Sequence, residues 1–126
     1  MLMTNAVAPI RLARAFLDRV RDPTGVVAFM SSGLGSVANK TDSYSDLYSA
    51  SKAALNSLSR SFAASLAGRR VTVLAIAPGW VRTDMGGSGA PLSVEESARG
   101  IVDVLESHAG SGRHGFLDYR GQEVPW

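Results

Sequence analysis

Apolar residues recur at Val7, Ile10, Ala13, Phe16, Leu17 and Val20. That is the spacing of one helix face, and it predicts a helix from about Asn5 to Val20, stopped by Asp22-Pro23. Val26 to Met30 is a short unbroken apolar run, the pattern of a strand covered on both faces in a parallel sheet. A polar, glycine-containing loop follows from Ser31 to Asp46. Leu55, Leu58, Phe62 and Leu66 then mark the buried face of a second helix, ended by Gly68. Val71 to Ala77 reads as a second buried strand closed by Pro78-Gly79, and Met85 to Pro91 as a glycine-rich loop. Ser93 and Glu96 form a Ser-x-x-Glu capping signature for a third helix, with Ala98, Ile101, Val102 and Leu105 expected inside. Gly110 to Gly115 reads as a turn, Phe116 to Tyr119 as a third strand, and Arg120-Gly121 as a turn into a tail ending at Trp126. Strands alternating with helices imply an α/β fold with a parallel sheet and right-handed crossovers. There is no internal repeat and no linker, so residues 1–126 form one domain.

Composition narrows the classes of function. Hydrophobic residues make up 45% of the chain, enough for a packed core and too many for a disordered segment. No apolar run approaches the ~18 residues of a membrane span. Met1-Leu2-Met3 gives way at once to Thr4 and Asn5, which leaves no apolar signal-peptide core. Cysteine is absent, so disulfides, zinc-thiolate sites and cysteine nucleophiles are excluded, and a reducing cytoplasm is expected. The net charge is +2, and the one basic concentration (Arg11, Arg14, Arg19, Arg21) falls on an amphipathic stretch, as a solvated helix face would. A nucleic-acid surface needs a denser stripe, so no nucleic-acid partner is expected. His108 and His114 flank a turn without metal-ligand spacing and read as surface residues; no metal site is expected.

Tyr48 and Lys52 are four residues apart and share a helix face. A free phenol loses its proton near pH ~10; an ammonium about 5 Å away is worth ~3 kcal/mol at an effective dielectric of ~20, or ~2 pKa units. Such a pair can serve as a general acid/base. Alone the spacing says little, since roughly one chain in five of this length would contain it by chance. Its context adds weight. Ser31 and Ser32 end the first strand, Pro78-Gly79-Trp80-Val81-Arg82-Thr83 follows the second, and open parallel sheets place their chemistry at that carboxyl edge. Three other motifs fail. Gly33, Gly35 and Ala38 fit G-x-G-x-x-G/A, but no helical periodicity follows in Asn39 to Ser43. The same stretch lacks the Gly-Lys of a P-loop, and Gly86-Gly87-Ser88-Gly89-Ala90 misses the last glycine of a nucleophile elbow.

Taken in order, Thr4-Asn5, Val27-Ala28-Phe29-Met30-Ser31-Ser32, Tyr48-Ser49-Ala50-Ser51-Lys52 and Pro78-Gly79-Trp80-Val81-Arg82-Thr83-Asp84-Met85 resemble the short-chain dehydrogenase/reductase family. Gly35-Ser36-Val37-Ala38-Asn39 and the ending Val124-Pro125-Trp126 look like the C-factor/sniffer-type carbonyl reductases within it. The resemblance implies the C-terminal part of a Rossmann-like, doubly wound parallel sheet, about three strands with flanking helices. It implies hydride transfer between NAD(P)H and a small-molecule carbonyl or alcohol. By position it places the catalytic tetrad on Asn5, Ser32, Tyr48 and Lys52. Tyr48 would move the proton and Ser32 hold the substrate oxygen. Lys52 would lower the pKa of Tyr48 and bind the nicotinamide ribose, and Asn5 would hold a water linked to Lys52. Pro78, Gly79, Val81 and Thr83 would contact the nicotinamide end together with Tyr48 and Lys52. Tyr44 competes with Tyr48 but has no Lys four residues on, and Ser31 competes with Ser32. The helices starting near Asn5 and Tyr48 would mediate homo-oligomerisation.

A full member also carries a Thr-Gly-x-x-x-Gly-x-Gly loop and an Asn-Asn-Ala-Gly segment, and neither is present. The chain therefore reads as the catalytic half of such a domain, expected to bind NAD(P)(H) weakly or not at all by itself. The alternative is a non-catalytic binding or signalling module that keeps the fold without the cofactor. Substrate identity and NAD against NADP are not legible, because the residues that discriminate them belong to the segments this sequence lacks.

Overall fold

The structure is a computed structural model and describes residues 1–66 and 68–126. Three parallel strands form one sheet in the order β1-β2-β3: β1 is Val26–Met30, β2 is Thr72–Ala77 and β3 is His114–Asp118. β1 and β2 run in register from Val26 opposite Thr72 to Met30 opposite Ile76, and β2 and β3 from Val73 opposite His114 to Ala77 opposite Asp118. Helix α1 is Ala8–Phe16, α2 is Asp46–Ala64 and α3 is Val94–His108.

The central strand explains its own sequence. All six residues of β2 are buried because helices cover both faces of the sheet, so its pattern is continuous rather than alternating. On one face Phe29 and Val73 pack with Ala6, Ile10, Leu55 and Phe62 from the α1 and α2 side. The Phe29 and Phe62 rings meet edge to face, centroids 5.7 Å apart. On the other face Leu74, Ile76 and Leu117 pack under Val104, with Ile101, Leu105 and Ala28 at the margin. The Ser93 hydroxyl accepts the Glu96 amide and so caps α3 as the Ser-x-x-Glu signature predicts, while the Glu96 carboxylate returns to that hydroxyl rather than to the Ser93 amide.

Some expectations shift. The inner face of α3 is Ser97, Ile101, Val104 and Leu105, whereas Ala98 and Val102 are exposed. The apolar residues of that helix fit two neighbouring stripes, and packing on Leu117 selects one of them. β3 begins two residues earlier than the apolar run implied, because His114 and Gly115 pair with Val73 and Leu74. His114 is consequently half-buried rather than a free surface residue: its ring lies 5.5 Å from that of Trp126, and its Nε2 is buried. Helix α2 ends at Ala64; Leu66 is buried beyond it, and Gly68 turns the chain at φ +84°. The first helix opens with a π turn over Met3–Val7 and closes with a 3-10 turn over Leu17–Arg19. Past Gly121 the tail runs back along β3, Val124 N–H donating to Phe116 O at 2.9 Å, and so covers the outer edge of that strand.

Candidate active site

The proposed chemistry collects at the carboxyl ends of β1 and β2. The Ser31 amide still bonds to Ile76 O at 2.8 Å, so β1 pairing runs one residue past Met30 before the chain turns. Ser32 is extended, and its hydroxyl accepts the Leu34 amide at 3.1 Å, capping a single 3-10 turn over Gly33–Gly35. No longer helix starts there, which disposes of the apparent dinucleotide fingerprint at Gly33, Gly35 and Ala38.

Tyr48 and Lys52 ride on the first turns of α2. The segment before them is held by Lys40, whose ammonium donates to Tyr44 O, to Asp42 Oδ1 at 3.2 Å and to Ser49 Oγ at 3.3 Å. Asp42 in turn accepts the Tyr44 amide at 3.0 Å, and that bond, with Lys40, keeps its carboxyl below the usual range. Tyr44, the competing tyrosine, is 70% exposed and takes part only through its backbone, whereas Tyr48 is half-buried.

The Lys52 ammonium donates to Met30 O at 2.9 Å and stands 5.8 Å from the centroid of the Tyr48 ring. Desolvation lowers the Lys52 pKa. One of its three N–H bonds is committed to Met30 O, so two remain for ligands.

Asn5 reaches the same place from the first helix. Its side-chain amide donates to Ser51 Oγ at 3.1 Å, and Ser51 Oγ donates to Tyr48 O at 2.7 Å. Its backbone is just as telling. The Ala8 amide reaches back five residues to Met3 O, and Pro9, the residue four beyond Asn5, has no N–H. The Asn5 carbonyl therefore lacks the ordinary i+4 donor and can accept from water, and π turns of this kind recur at functional sites.

Pro78 to Thr83 leave the end of β2. Pro78 O accepts Ser97 Oγ at 2.7 Å, and Gly79 turns at φ +87°, where a Cβ would lie 2.9 Å from Leu92 Cδ2 and 3.1 Å from the Tyr119 ring. Val81 pairs with Leu92 as an isolated parallel bridge, through Arg82 N–H to Leu92 O and Leu92 N–H to Trp80 O. This pairing directs the Val81 N–H away from Leu92. Trp80 Nε1 donates to Gly86 O at 2.8 Å and the Gly86 amide to Thr83 Oγ at 3.0 Å, so the glycine-rich segment is tied down rather than loose. No direct hydrogen bond joins this loop to Tyr48 or Lys52 among the described residues.

Three residues in this frame escape sequence reasoning. Ser51 links Asn5 to Tyr48. Asn56 is 3% exposed and binds Ser31 Oγ at 2.6 Å and Gly35 O at 3.3 Å. Trp126 accepts the Ala38 amide at 3.0 Å through its carbonyl, and its ring packs on Phe116 and under the Arg60 guanidinium. For Asn56 a signal existed: it continues the Tyr48, Lys52 spacing by four more residues.

The short chain dehydrogenase family model matches residues 1–91, a span that holds Asn5, Ser32, Tyr48, Lys52 and the Pro78 to Thr83 loop. The chain belongs to the short-chain dehydrogenase family. C-signal of Myxococcus xanthus is 41% identical over 125 residues, covering 97% of this chain and 74% of that protein. A Pseudomonas aeruginosa carbonyl reductase solved in complex with NADP superposes with a TM-score of 0.89 at 52% identity, covering all of this chain and 54% of that one. The carbonyl reductase Sniffer of D. melanogaster gives 0.87 at 36% identity, covering 99% and 55%. This short-chain dehydrogenase sequence thus spans about half the length of the solved structures it matches. No described helix is long and apolar enough to cross a membrane.

Proposed function

We propose that the chain carries the catalytic residues of a cytoplasmic NAD(P)-dependent oxidoreductase that interconverts a carbonyl and an alcohol. The observation that carries this reading is the partly desolvated Lys52 ammonium, held beside the Tyr48 ring at the end of β1 while Asn5 is bonded to the same helix turn. Tyr48 donates its phenolic proton to the carbonyl oxygen as the carbon is reduced, and accepts it back in the reverse direction. Ser32 donates a hydrogen bond to that oxygen and orients it. The Lys52 ammonium, 5.8 Å from the Tyr48 ring centroid, offsets the negative charge left on the tyrosine oxygen as the proton moves. The Asn5 carbonyl holds a water through which Lys52 exchanges protons with solvent.

The nicotinamide end of a cofactor fits the donors present: the two uncommitted Lys52 N–H groups and the outward Val81 N–H, with Pro78, Gly79 and Thr83 shaping the loop. When bound, that cofactor supplies or takes up the hydride. The fit does not extend to the diphosphate. Among the described residues no glycine-rich helix start offers backbone amides to phosphates, and α2 and α3 begin with Asp46, Glu95 and Glu96. Binding of NAD(P)H by this chain alone is therefore weak, and activity must be sought at high cofactor concentration.

The deciding experiment is Tyr48→Phe, assayed by NADPH oxidation with a panel of small ketones and aldehydes. Loss of one general acid predicts about a 10²–10⁴-fold fall in turnover, with an unchanged circular dichroism spectrum. A Tyr48→Phe chain that keeps wild-type turnover overturns the assignment and turns attention to Tyr44.

A further inference from the structure

We propose that Asn56 is a positioning residue that fixes the Ser32 hydroxyl relative to Tyr48, an inference that rests on the catalytic reading above. Tyr48, Lys52 and Asn56 occupy successive turns along one stripe of α2. Asn56 grips the Ser32 turn from both sides. Its Oδ1 accepts the Ser31 hydroxyl at 2.6 Å, immediately before Ser32, and its Nδ2 donates to Gly35 O at 3.3 Å, three residues after it. Gly35 O can only accept, so the orientation of the amide is settled by its partners. Ser31, Gly35 and Asn56 are all buried, which means that no water replaces a lost bond at low cost. The close approach has a steric side as well: a Cβ on Gly35 would lie 2.9 Å from Lys52 Cβ and 3.1 Å from Asn56 Nδ2. One side chain thus holds the serine turn against the helix that carries the tyrosine and the lysine.

The chemistry of the amide supplies a test. A carboxylate at this position would accept from Ser31 but oppose the Gly35 carbonyl. A protonated carboxyl would make both bonds. Burial favours that neutral form and raises the pKa of the introduced group. The charged groups on the same helix are Lys52 and Arg60, one turn to either side, and Asp46 in its first turn; the turn packed on Asn56, Ser31 to Ser36, brings none.

The experiment compares wild type, Asn56→Asp and Ser31→Ala by hydrogen exchange and by NADPH-dependent carbonyl reduction between pH 5.5 and 8. The Leu34 amide is a direct reporter, because it donates to Ser32 Oγ. At pH 8 Asn56→Asp should exchange faster at Leu34 and Gly35 while β2 stays protected, and the excess should shrink as pH falls. Turnover should drop on the order of 10²-fold, as for a misplacement of about 1 Å, with KM for NADPH unchanged and the ratio to wild type recovering toward low pH. Ser31→Ala removes one bond without adding a buried charge and should give the same localised loosening in weaker form, so the test survives if Asn56→Asp fails to fold. Unchanged exchange in the turn, exchange raised equally in β2 for Ser31→Ala, or a loosened turn with wild-type turnover would each overturn the proposal. A wild type inactive on every carbonyl would defeat the catalytic reading alone, and the Leu34 exchange would still decide whether Asn56 holds the turn.

Discussion

Gly35→Ala offers the sharpest check on this geometry, with Gly33→Ala as its internal control. The added methyl carbon at residue 35 would stand 2.9 Å from Lys52 Cβ, 3.0 Å from the Lys52 carbonyl carbon and 3.1 Å from Asn56 Nδ2. Carbon atoms pack at about 3.5–4.0 Å, so turn and helix must separate by at least about half an ångström. Two of the three atoms belong to the backbone or Cβ of α2 and cannot rotate aside. Overpacking of this kind costs about 1–3 kcal/mol. Replacing glycine returns about 0.4–1 kcal/mol by restricting the unfolded chain, which leaves a net loss of up to about 2.6 kcal/mol, centred near about 1.3 kcal/mol. At residue 33 nothing lies within 4 Å of the added carbon and φ is not positive, so only the gain applies. Two identical substitutions two residues apart should thus move stability in opposite directions. In thermal unfolding followed by circular dichroism, Gly35→Ala should melt several degrees below wild type and Gly33→Ala slightly above it. Because the displaced turn carries Ser32, Gly35→Ala should also lower turnover more than Gly33→Ala does. Equal melting temperatures for the two variants would refute the close packing of the turn on α2.

Two further outcomes follow from other parts of the molecule. Burial, and secondarily the charge of Arg60, lower the His114 pKa below its usual value. The unfolded chain therefore binds the proton first as pH falls, so stability is full above about pH 6.5 and declines below it; His114→Phe should flatten that decline in urea titrations, and an identical slope would exclude His114 as its source. The second concerns the open side of β1, where the bonds from Thr72 N–H to Gly25 O and from Ser31 N–H to Ile76 O set the parity. Val26 and Ala28 then turn their N–H and C=O groups away from β2 toward a groove of ≈ 790 Å³ lined by Leu12, Phe16 and Val20, with Leu12 and Phe16 more than half exposed. Such an edge pairs readily with another chain, so sedimentation at micromolar concentration should find oligomers, whereas a monomer with a protected Ala28 amide would contradict this.

Much of the fold is legible in the sequence because the signals are local. The strands announce themselves as apolar runs, although only β2 is buried throughout while β1, read as covered on both faces, buries Phe29 alone and exposes Met30. The Ser-x-x-Glu cap of α3 lies within four residues, and Pro23 and Gly79 mark breaks that the backbone enforces. The candidate chemistry is legible for a similar reason. Tyr48 and Lys52 are brought together by helical spacing alone, and Ser32 and Pro78 by their place at strand ends.

Tertiary structure decides what depends on contacts between distant residues. The apolar positions of α3 are compatible with more than one inward face, and only the sheet below it chooses Val104 over Val102. His114 becomes a strand residue because β2 pairs with it and Trp126 covers it, two partners that no local pattern reveals. Asn56 continues the Tyr48, Lys52 stripe in the sequence, but its partners Ser31 and Gly35, more than twenty positions earlier, are supplied only by the fold. The sequence by itself thus determined the elements and the residue types available for chemistry. The placement of the serine turn against the helix that carries tyrosine and lysine was decided by hydrogen bonds and close packing between elements, whose energies exist only once the chain has folded.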